Sequence, residues 1–153
     1  MASEFTQRQK SDFFRDITSF ASLWWYLLIA LVFFVNKNYD IFIKLVIGLL
    51  IIYFIAILIR TFYFKPRPKK YSYNSYIEKL DASSFPSLHS SRAVFMSIIL
   101  MKFFNNFALS ALLAVLTIII AYSRIQLKKH DLMDVLAGVV VGTVVYSIAN
   151  FIY

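Results

Sequence analysis

The chain has 153 residues, of which 60% are hydrophobic, and it carries a formal net charge of +8 and no cysteine. Apolar residues usually make up about half of a soluble domain, so this excess favours a membrane domain. The lack of cysteine excludes disulfides, thiolate catalysis and cysteine-based zinc sites. The basic residues lie between apolar blocks and not on one polar face, which favours membrane lipids over nucleic acid as partners.

The first predicted element is an amphipathic helix over residues 1–16, because Phe13 and Phe14 follow a helical spacing among charged residues. Such a helix lies in the membrane interface. Five apolar blocks follow, each near the roughly 20 residues that a spanning helix requires. The predicted spans are 17–35, 41–59, 87–104, 107–122 and 135–153. Residues 1–153 are therefore predicted to form a single all-α domain, an integral-membrane helical bundle of a multi-pass protein of the cell membrane.

The connections between these spans differ in length. Residues 36–40 and 105–106 are short links, which predict antiparallel neighbouring helices. The longest connection, 65–85, is rich in tyrosine and is expected to lie on the headgroup layer. In the last span, Gly138 and Gly142 form a small-xxx-small pair that predicts close helix packing.

Traced alternately up and down, the spans place most ionisable residues at one membrane face. This face collects Arg60, Lys65, Arg67, His89, Arg92, Arg124, His130 and Asp134. Ionisable side chains at membrane depth are candidates for function by default. The asymmetry therefore predicts one polar site at one end of the bundle.

The residue types at this face suit phosphoryl transfer. His130 and Asp134 are four positions apart and share a helix face, so the carboxylate can accept the Nδ1 proton and leave Nε2 as a nucleophile. His89 supplies a second imidazole that can protonate a leaving alkoxide. The chain has only two histidines, and one of them is paired with an aspartate. The sequence therefore predicts catalysis without a metal or another cofactor.

A set of anion-binding groups accompanies these residues. Arg60, Arg67 and Arg124 present planar guanidinium groups that suit phosphate oxygens. Ser87 and the backbone N–H groups at the start of the third span add donors where the helix dipole favours an anion.

Three segments, "RTFYFKPRP", "PSLHS" and "SRIQLKKHDLMD", resemble the signature motifs of the type 2 phosphatidic acid phosphatase superfamily. Its pattern is a lysine, six residues and Arg-Pro; then Pro-Ser-Gly-His; then Ser-Arg, five residues, His, three residues and Asp. The likeness spans residues 60–134 in the same order and with the same spacing.

The resemblance implies a phosphoric monoester or diphosphate hydrolase. It implies that His130 is the nucleophile that forms a phosphohistidine, that Asp134 orients it, and that His89 protonates the leaving group. The phosphate would be held by Arg60, Arg67, Ser87, Leu88 and Arg124.

The chain departs from the family pattern in three places. Arg60 stands where the family has lysine, which replaces a point cation with a planar fork. Leu88 stands where the family has glycine, so a left-handed backbone at this position would be strained. The chain also shows five spans where the family commonly has six.

Several interpretations stay open at this level. The expected substrate is an isoprenoid diphosphate or a phosphatidate-type lipid, and a non-enzymatic polyprenyl-phosphate or phospholipid carrier with the same basic site is the alternative. The His130–Asp134 pair taken alone is equally compatible with a structural role. Arg92 is expected to contact lipid headgroups, with a role at the rim of the site as the alternative. Trp24 and Trp25 are expected to pack, with stacking on a ligand as the alternative. The side of the membrane that the site faces and the oligomeric state are left open.

Overall fold

The computed structural model describes residues 2–69 and 72–152. Within these residues the chain forms seven α-helices. They are α1 (Ala2–Ser19), α2 (Leu23–Val35), α3 (Tyr39–Phe62), α4 (Tyr76–Ala82), α5 (Leu88–Phe104), α6 (Phe107–Gln126) and α7 (Leu132–Ile152). Tyr71, one of the tyrosines of the long connection, lies outside the described residues. The predicted all-α membrane bundle is confirmed.

Four segments are long and apolar enough to cross a membrane. They are Arg8–Val35, which includes most of α1 and all of α2, and the helices α3, α6 and α7. The expected span over 87–104 corresponds to α5, which has only 17 residues and a serine-rich first turn. The boundary expected between the interfacial helix over 1–16 and the span over 17–35 lies farther along the chain in the structure. Helix α1 continues to Ser19, and the helical backbone is then interrupted before α2 begins at Leu23. Ser22 caps the new helix by accepting a hydrogen bond from the Trp25 amide.

Helix α5 lies at the centre of the bundle, where it packs on α3, α6 and α7. The contact with α7 is close because Gly138 and Gly142 carry no side chain. A Cβ atom on Gly138 would lie 2.6 Å from the Ser87 carbonyl oxygen, and one on Gly142 would lie 2.6 Å from the Ser91 carbonyl oxygen. The close packing predicted for this glycine pair is confirmed. It fixes the start of α7 against the start of α5.

The apolar core joins α2, α3, α5 and α7. Tyr26, Leu45, Phe95 and Val145 are fully buried there, and the Tyr26 hydroxyl donates a hydrogen bond to the Leu45 carbonyl over 2.7 Å. Gly48 admits the Phe95 ring, which would lie 2.0 Å from a Cβ atom at this position. Many large apolar side chains instead point outward, as expected for a bundle whose solvent is lipid.

Two short turns join neighbouring helices as expected. Helix α2 packs on α3 and α5 packs on α6. The α5–α6 turn uses Asn105 in a left-handed conformation with φ 44°, and the Asn106 side chain then caps α6. These two asparagines therefore end one helix and begin the next.

The long connection between α3 and α5 is more ordered than a headgroup loop needs to be. It contains the short helix α4 and an isolated β-bridge between Pro66 and Ser83. The Ser84 amide donates to the Lys65 carbonyl over 2.8 Å, and the Lys69 amide donates to the Lys128 carbonyl over 2.9 Å. The first bond closes the connection on itself, and the second holds it against the loop that precedes α7.

Candidate active site

A cavity of about 430 Å³ opens where α3, α5 and α6 meet the loop before α7. Its lining residues are Ser22, Leu23, Trp24, Tyr53, Arg60, Arg67, Asp81, Leu88, His89, Arg92, Arg124, Lys129 and His130. The cavity therefore brings together six of the eight residues that the sequence assigns to the site. The other two, Ser87 and Asp134, are fully buried behind its wall.

His130 is held in the loop between α6 and α7, and only 3% of the residue is exposed. Its Nδ1 atom lies 2.8 Å from the Ser84 carbonyl oxygen and 3.7 Å from Oδ2 of Asp134. A carbonyl oxygen only accepts hydrogen bonds, so Nδ1 carries the proton and Nε2 keeps its lone pair. The tautomer expected from the sequence is thus set by a backbone carbonyl, with the Asp134 carboxylate farther away.

Burial lowers the pKa of His130 because a charged imidazolium loses its hydration there. The Asp134 carboxylate opposes this effect, whereas the nearby guanidinium groups of Arg124 and Arg67 add to it. The net direction is downward, so the ring is neutral at neutral pH. A neutral ring with a free Nε2 is the form that a nucleophile requires.

Asp134 is held by two partners. Its Oδ1 atom accepts a hydrogen bond from Lys65 Nζ over 2.8 Å, and its Oδ2 atom accepts one from the Asp131 amide over 3.0 Å. The Asp131 carboxylate in turn accepts from the Asp134 amide, an arrangement like a capping box at the start of α7. The carboxylate that lies near His130 is therefore fixed in place and charge-balanced.

Lys65 pairs with both Asp131 and Asp134. Partial burial opposes its charge, but the hydrogen bonds to Asp131 and Asp134 outweigh that effect and raise the pKa of Lys65. Lys65 lies on the polar face that the sequence predicts, but the sequence assigns it no role in the site. Its position two residues before Arg67 is the one feature of the sequence that indicates a place near the site.

Arg60 holds the backbone that leads into α5. Its Nε, Nη1 and Nη2 atoms donate to the carbonyls of Phe85, Leu80 and Pro86 over 3.3, 3.0 and 3.0 Å. A lysine has one nitrogen and cannot reach three carbonyls spread around a plane, which gives a physical reason for arginine here. A guanidinium group has five N–H groups, so two remain for the cavity that Arg60 also lines.

Arg67 and Arg124 line the same cavity from two other elements. Arg67 Nη2 donates to the Asp81 carbonyl. Arg124 Nη1 donates to the Thr18 hydroxyl over 3.1 Å, while its buried Nε has no hydrogen-bond partner among the described residues. A buried donor without a partner is unfavourable, and an oxygen atom of a bound anion would satisfy it.

The start of α5 carries the remaining predicted residues. The His89 ring lines the cavity and makes no hydrogen bond to another described residue, which leaves it available to a ligand. Leu88 is the first residue of α5 and is not among the described non-glycine residues with positive φ, so its backbone is unstrained. The Ser87 hydroxyl caps α5 by accepting from the Ser90 amide. In this structure Ser87 shapes the helix start and does not line the cavity.

Two expectations about neighbouring residues are wrong. Arg92 does not reach the headgroups, because it is buried and donates to the Ala21 carbonyl through Nε and Nη2 and to the Tyr53 hydroxyl through Nη1. The Ala21 carbonyl lies at the break between α1 and α2, where a helical partner is lacking. Trp24 is 80% exposed and lines the cavity, whereas Trp25 packs against Phe20 as expected.

Lys129 also lines the cavity. Partial burial lowers the pKa of Lys129, and the neighbouring cations Arg124 and Arg67 lower it further. The cavity therefore has a strongly positive potential that an anionic ligand would relieve.

Comparisons with known proteins found a matching family and two solved structures with a similar fold. A family model described as PAP2 superfamily matches residues 41–152. LpxE from Aquifex aeolicus is 19% identical, with a TM-score of 0.76 over 94% of this chain and 86% of that one. A PAP2 type phosphatidylglycerolphosphate phosphatase from Bacillus subtilis is also 19% identical, with a TM-score of 0.70 over 94% of this chain and 76% of that one. At these identities the two likenesses show a shared fold.

Proposed function

The chain belongs to the PAP2 superfamily, and from this premise we propose that it removes phosphate from a membrane lipid phosphate or diphosphate through a phosphohistidine at His130. The observation that carries the proposal is the environment of His130. Its Nδ1 proton is committed to the Ser84 carbonyl, and the ring lines a cavity rich in cationic groups. Its Nε2 atom therefore has the lone pair that an attack on phosphorus requires.

The reaction would proceed in two steps. In the first, Nε2 of His130 bonds to phosphorus and the bond from phosphorus to the leaving oxygen breaks. His89, protonated when the anionic substrate is bound, gives that oxygen a proton and becomes neutral. In the second, His89 takes a proton from water, the water oxygen bonds to phosphorus, and the phosphorus–nitrogen bond breaks. Phosphate leaves and His130 returns to its neutral form.

Charge develops at two places during this reaction. The phosphorylated imidazole is cationic, and the Asp134 carboxylate, 3.7 Å from Nδ1, stabilises it. The transferring phosphoryl group carries its charge on three equatorial oxygens, and the cations Arg67, Arg124 and Lys129 line the cavity that would hold it. Such preorganised cations are worth more in a buried site than in water.

A lipid substrate fits the position of the site. The cavity lies among the ends of apolar helices, at the level where a lipid anchored in the membrane presents its phosphate ester. An isoprenoid diphosphate and a phosphatidate-type lipid are the two substrate classes, and the cell membrane is the proposed location. The names of the two structural neighbours, a phosphatidylglycerolphosphate phosphatase and LpxE, belong to those proteins and are compatible with this class.

The proposal is tested with purified protein in detergent or nanodiscs. We expect phosphate release from phosphatidate or from a prenyl diphosphate, and an acid-labile, base-stable phosphoenzyme on rapid quenching with a radiolabelled substrate. His130→Ala should abolish both signals while the protein stays folded. EDTA should leave the rate unchanged, whereas vanadate should inhibit as a transition-state mimic.

The outcomes separate the alternatives. Tight binding of the lipid phosphate by the unmodified protein without any phosphate release would favour a carrier. Full activity of His130→Ala would exclude the phosphohistidine, and activity lost on chelation and restored by a divalent ion would indicate metal catalysis.

A further inference from the structure

The active-site cavity has a second set of hydrogen-bond donors that the proposed reaction does not use. We call this set the inner group, and its residues, all of which line the cavity, are Arg92, Tyr53, Ser22, Leu23 and Trp24. Tyr53 lies two turns before Arg60 on α3, and Arg92 lies one turn after His89 on α5. Because α3 ends at the site and α5 begins there, the inner group lies deeper in the bundle.

Arg92 is a buried cation without a carboxylate partner. It is 4% exposed, and none of the ion pairs among the described residues includes it. Its Nε and Nη2 atoms donate to the Ala21 carbonyl over 3.2 and 3.0 Å, and Nη1 donates to the Tyr53 hydroxyl over 2.7 Å. These neutral partners use three of its five N–H groups. A buried charge is costly without an opposite charge beside it, so Arg92 has both the charge and the free N–H groups to bind an anion.

The other members of the inner group add neutral donors. The Tyr53 hydroxyl accepts from the guanidinium, and the Ser22 hydroxyl accepts from a backbone amide of α2 over 3.4 Å. Neither hydroxyl has an acceptor for its own proton among the described residues. The first amides of a helix lack intrahelical partners, and those of Leu23 and Trp24 make no hydrogen bond to another described residue. Beside the buried guanidinium, these donors suit the oxygens of a phosphate.

The formal charge of the cavity indicates the size of the anion. The cations that line it are Arg60, Arg67, Arg92, Arg124 and Lys129. Among the described lining residues only Asp81 is acidic, so the lining carries a formal charge of +4. The neighbouring cluster of Lys65, Asp131 and Asp134 has a net charge of −1, which leaves +3. A fully ionised phosphate monoester has two negative charges and a fully ionised diphosphate monoester has three, so the diphosphate matches the cavity more closely.

We propose that the inner group binds the leaving phosphate of a lipid diphosphate, and that Arg92 is the residue that favours a diphosphate over a monophosphate. This inference rests on the proposed phosphatase activity at His130. The attacking and leaving atoms lie on opposite sides of the transferred phosphorus. His89 is assigned to the leaving-group side, and Arg92 follows it on the next turn of the same helix. A monophosphate ester would leave the Arg92 charge uncompensated.

The reaction of a diphosphate balances without a further reagent. Nε2 of His130 bonds to the terminal phosphorus, and the bond from that phosphorus to the bridging oxygen breaks. The oxygen keeps the electron pair, so the departing lipid monophosphate gains one negative charge beside Arg92. Water then bonds to phosphorus, the phosphorus–nitrogen bond breaks, and both protons of the water leave with the inorganic phosphate.

The test compares a prenyl diphosphate with the prenyl monophosphate of the same chain, which differ only in the second phosphate. Arg92→Gln removes the charge and keeps a hydrogen-bonding side chain. Lys102→Gln is the matched control, because Lys102 is exposed in the last turn of the same helix and does not line the cavity. We expect Arg92→Gln to lower kcat/KM for the diphosphate roughly 10- to 100-fold more than for the monophosphate, since hydrogen bonds to a charged group are lost. Lys102→Gln should change neither value.

The results distinguish this inference from the proposed function. Equal losses on the two substrates in Arg92→Gln would mean that Arg92 only holds the Ala21 carbonyl, which would overturn the inference and leave the phosphatase intact. Activity toward phosphatidate without activity toward the prenyl diphosphate would overturn it as well. An unmodified protein that hydrolyses none of the three substrates would instead refute the phosphatase.

A second variant covers an Arg92→Gln protein that fails to fold, which the thermal midpoint in detergent reveals. Tyr53→Phe removes one hydroxyl and keeps the ring, whose centroid lies 5.8 Å from the guanidinium carbon of Arg92. We expect its kcat/KM for the diphosphate to fall about tenfold relative to that for the monophosphate. The same ratio of the two values in Tyr53→Phe and in the unmodified protein would overturn the proposal.

An inhibition measurement tests the inner group without turnover. A prenyl methylenediphosphonate cannot be cleaved between its two phosphorus atoms, and the matching prenyl phosphonate lacks the second one. We expect the diphosphonate to inhibit the unmodified protein at least tenfold more strongly, and Tyr53→Phe to reduce this difference. Equal inhibition of the unmodified protein by the two compounds would overturn the proposal.

Discussion

Replacement of Thr18 by valine tests whether helix α1 belongs to the catalytic machinery. Thr18 and Arg124 are 6% and 3% exposed. Among the described residues, the Thr18 hydroxyl is the only hydrogen-bond partner of the Arg124 guanidinium, which donates to it from Nη1 over 3.1 Å. Valine keeps the shape of threonine and removes the hydroxyl. Arg124 would then have no fixed orientation in the cavity before substrate binds.

The size of the effect follows from this geometry. A hydrogen bond to a charged group contributes about 1.5–3 kcal/mol, which corresponds to roughly a 10- to 150-fold loss of kcat/KM if the whole contribution is lost in the transition state. Thr18→Ser keeps a hydroxyl and should retain most of the activity. The assay is steady-state phosphate release, with the thermal midpoint of each variant in detergent as the control for folding.

A purely structural role predicts a different pattern. In that case Thr18→Val would lower the thermal midpoint and leave the kcat/KM of the folded protein, and its inhibition by vanadate, unchanged. Equal kcat/KM values for Thr18→Val and Thr18→Ser would refute the view that α1 positions Arg124.

Three further predictions concern the site itself. His89→Ala should slow hydrolysis of a monophosphate ester about 10²–10⁴-fold and hydrolysis of a diphosphate far less, since an alkoxide needs a proton as it leaves and a phosphate does not. Equal losses on both substrates in the phosphate-release assay would assign His89 to binding. The pKa of His130 should lie below 6.5 because burial disfavours the imidazolium, and the ring should therefore stay neutral as the pH falls through 6.5. Nitrogen-15 NMR of the ring measures this titration, and a midpoint at or above 6.5 would contradict the prediction. Lys65→Met should destabilise the fold by about 3 kcal/mol, which is at the low end for a broken buried ion pair because the Lys65 side chain is 24% exposed. Lys65→Arg should keep most of the stability. Denaturant titration compares the two variants, and an unchanged midpoint in Lys65→Met would argue against a stabilising ion pair.

The amino-acid sequence determines much of this protein. Its apolar blocks predict the membrane helices, and the alternation of those helices places the ionisable residues at one end. The spacing of His130 from Arg124 and of Arg67 from Arg60 identifies the family motifs without any coordinates. Local periodicity and fixed spacing are properties of the chain itself, and for this reason these features could be predicted.

Other features depend on the tertiary structure, because they join groups that are far apart in the sequence or that every residue possesses. The Ser84 carbonyl that sets the His130 tautomer is a backbone group, and only the packing of the long connection brings it there. Thr18 and Arg124 are 106 positions apart, and Arg92 meets Ala21 only because the chain breaks between α1 and α2. Motif spacing thus identified the candidate site residues, whereas the folded bundle decided which neighbours orient them. Hydrogen bonds depend on distance in space and not on distance along the chain.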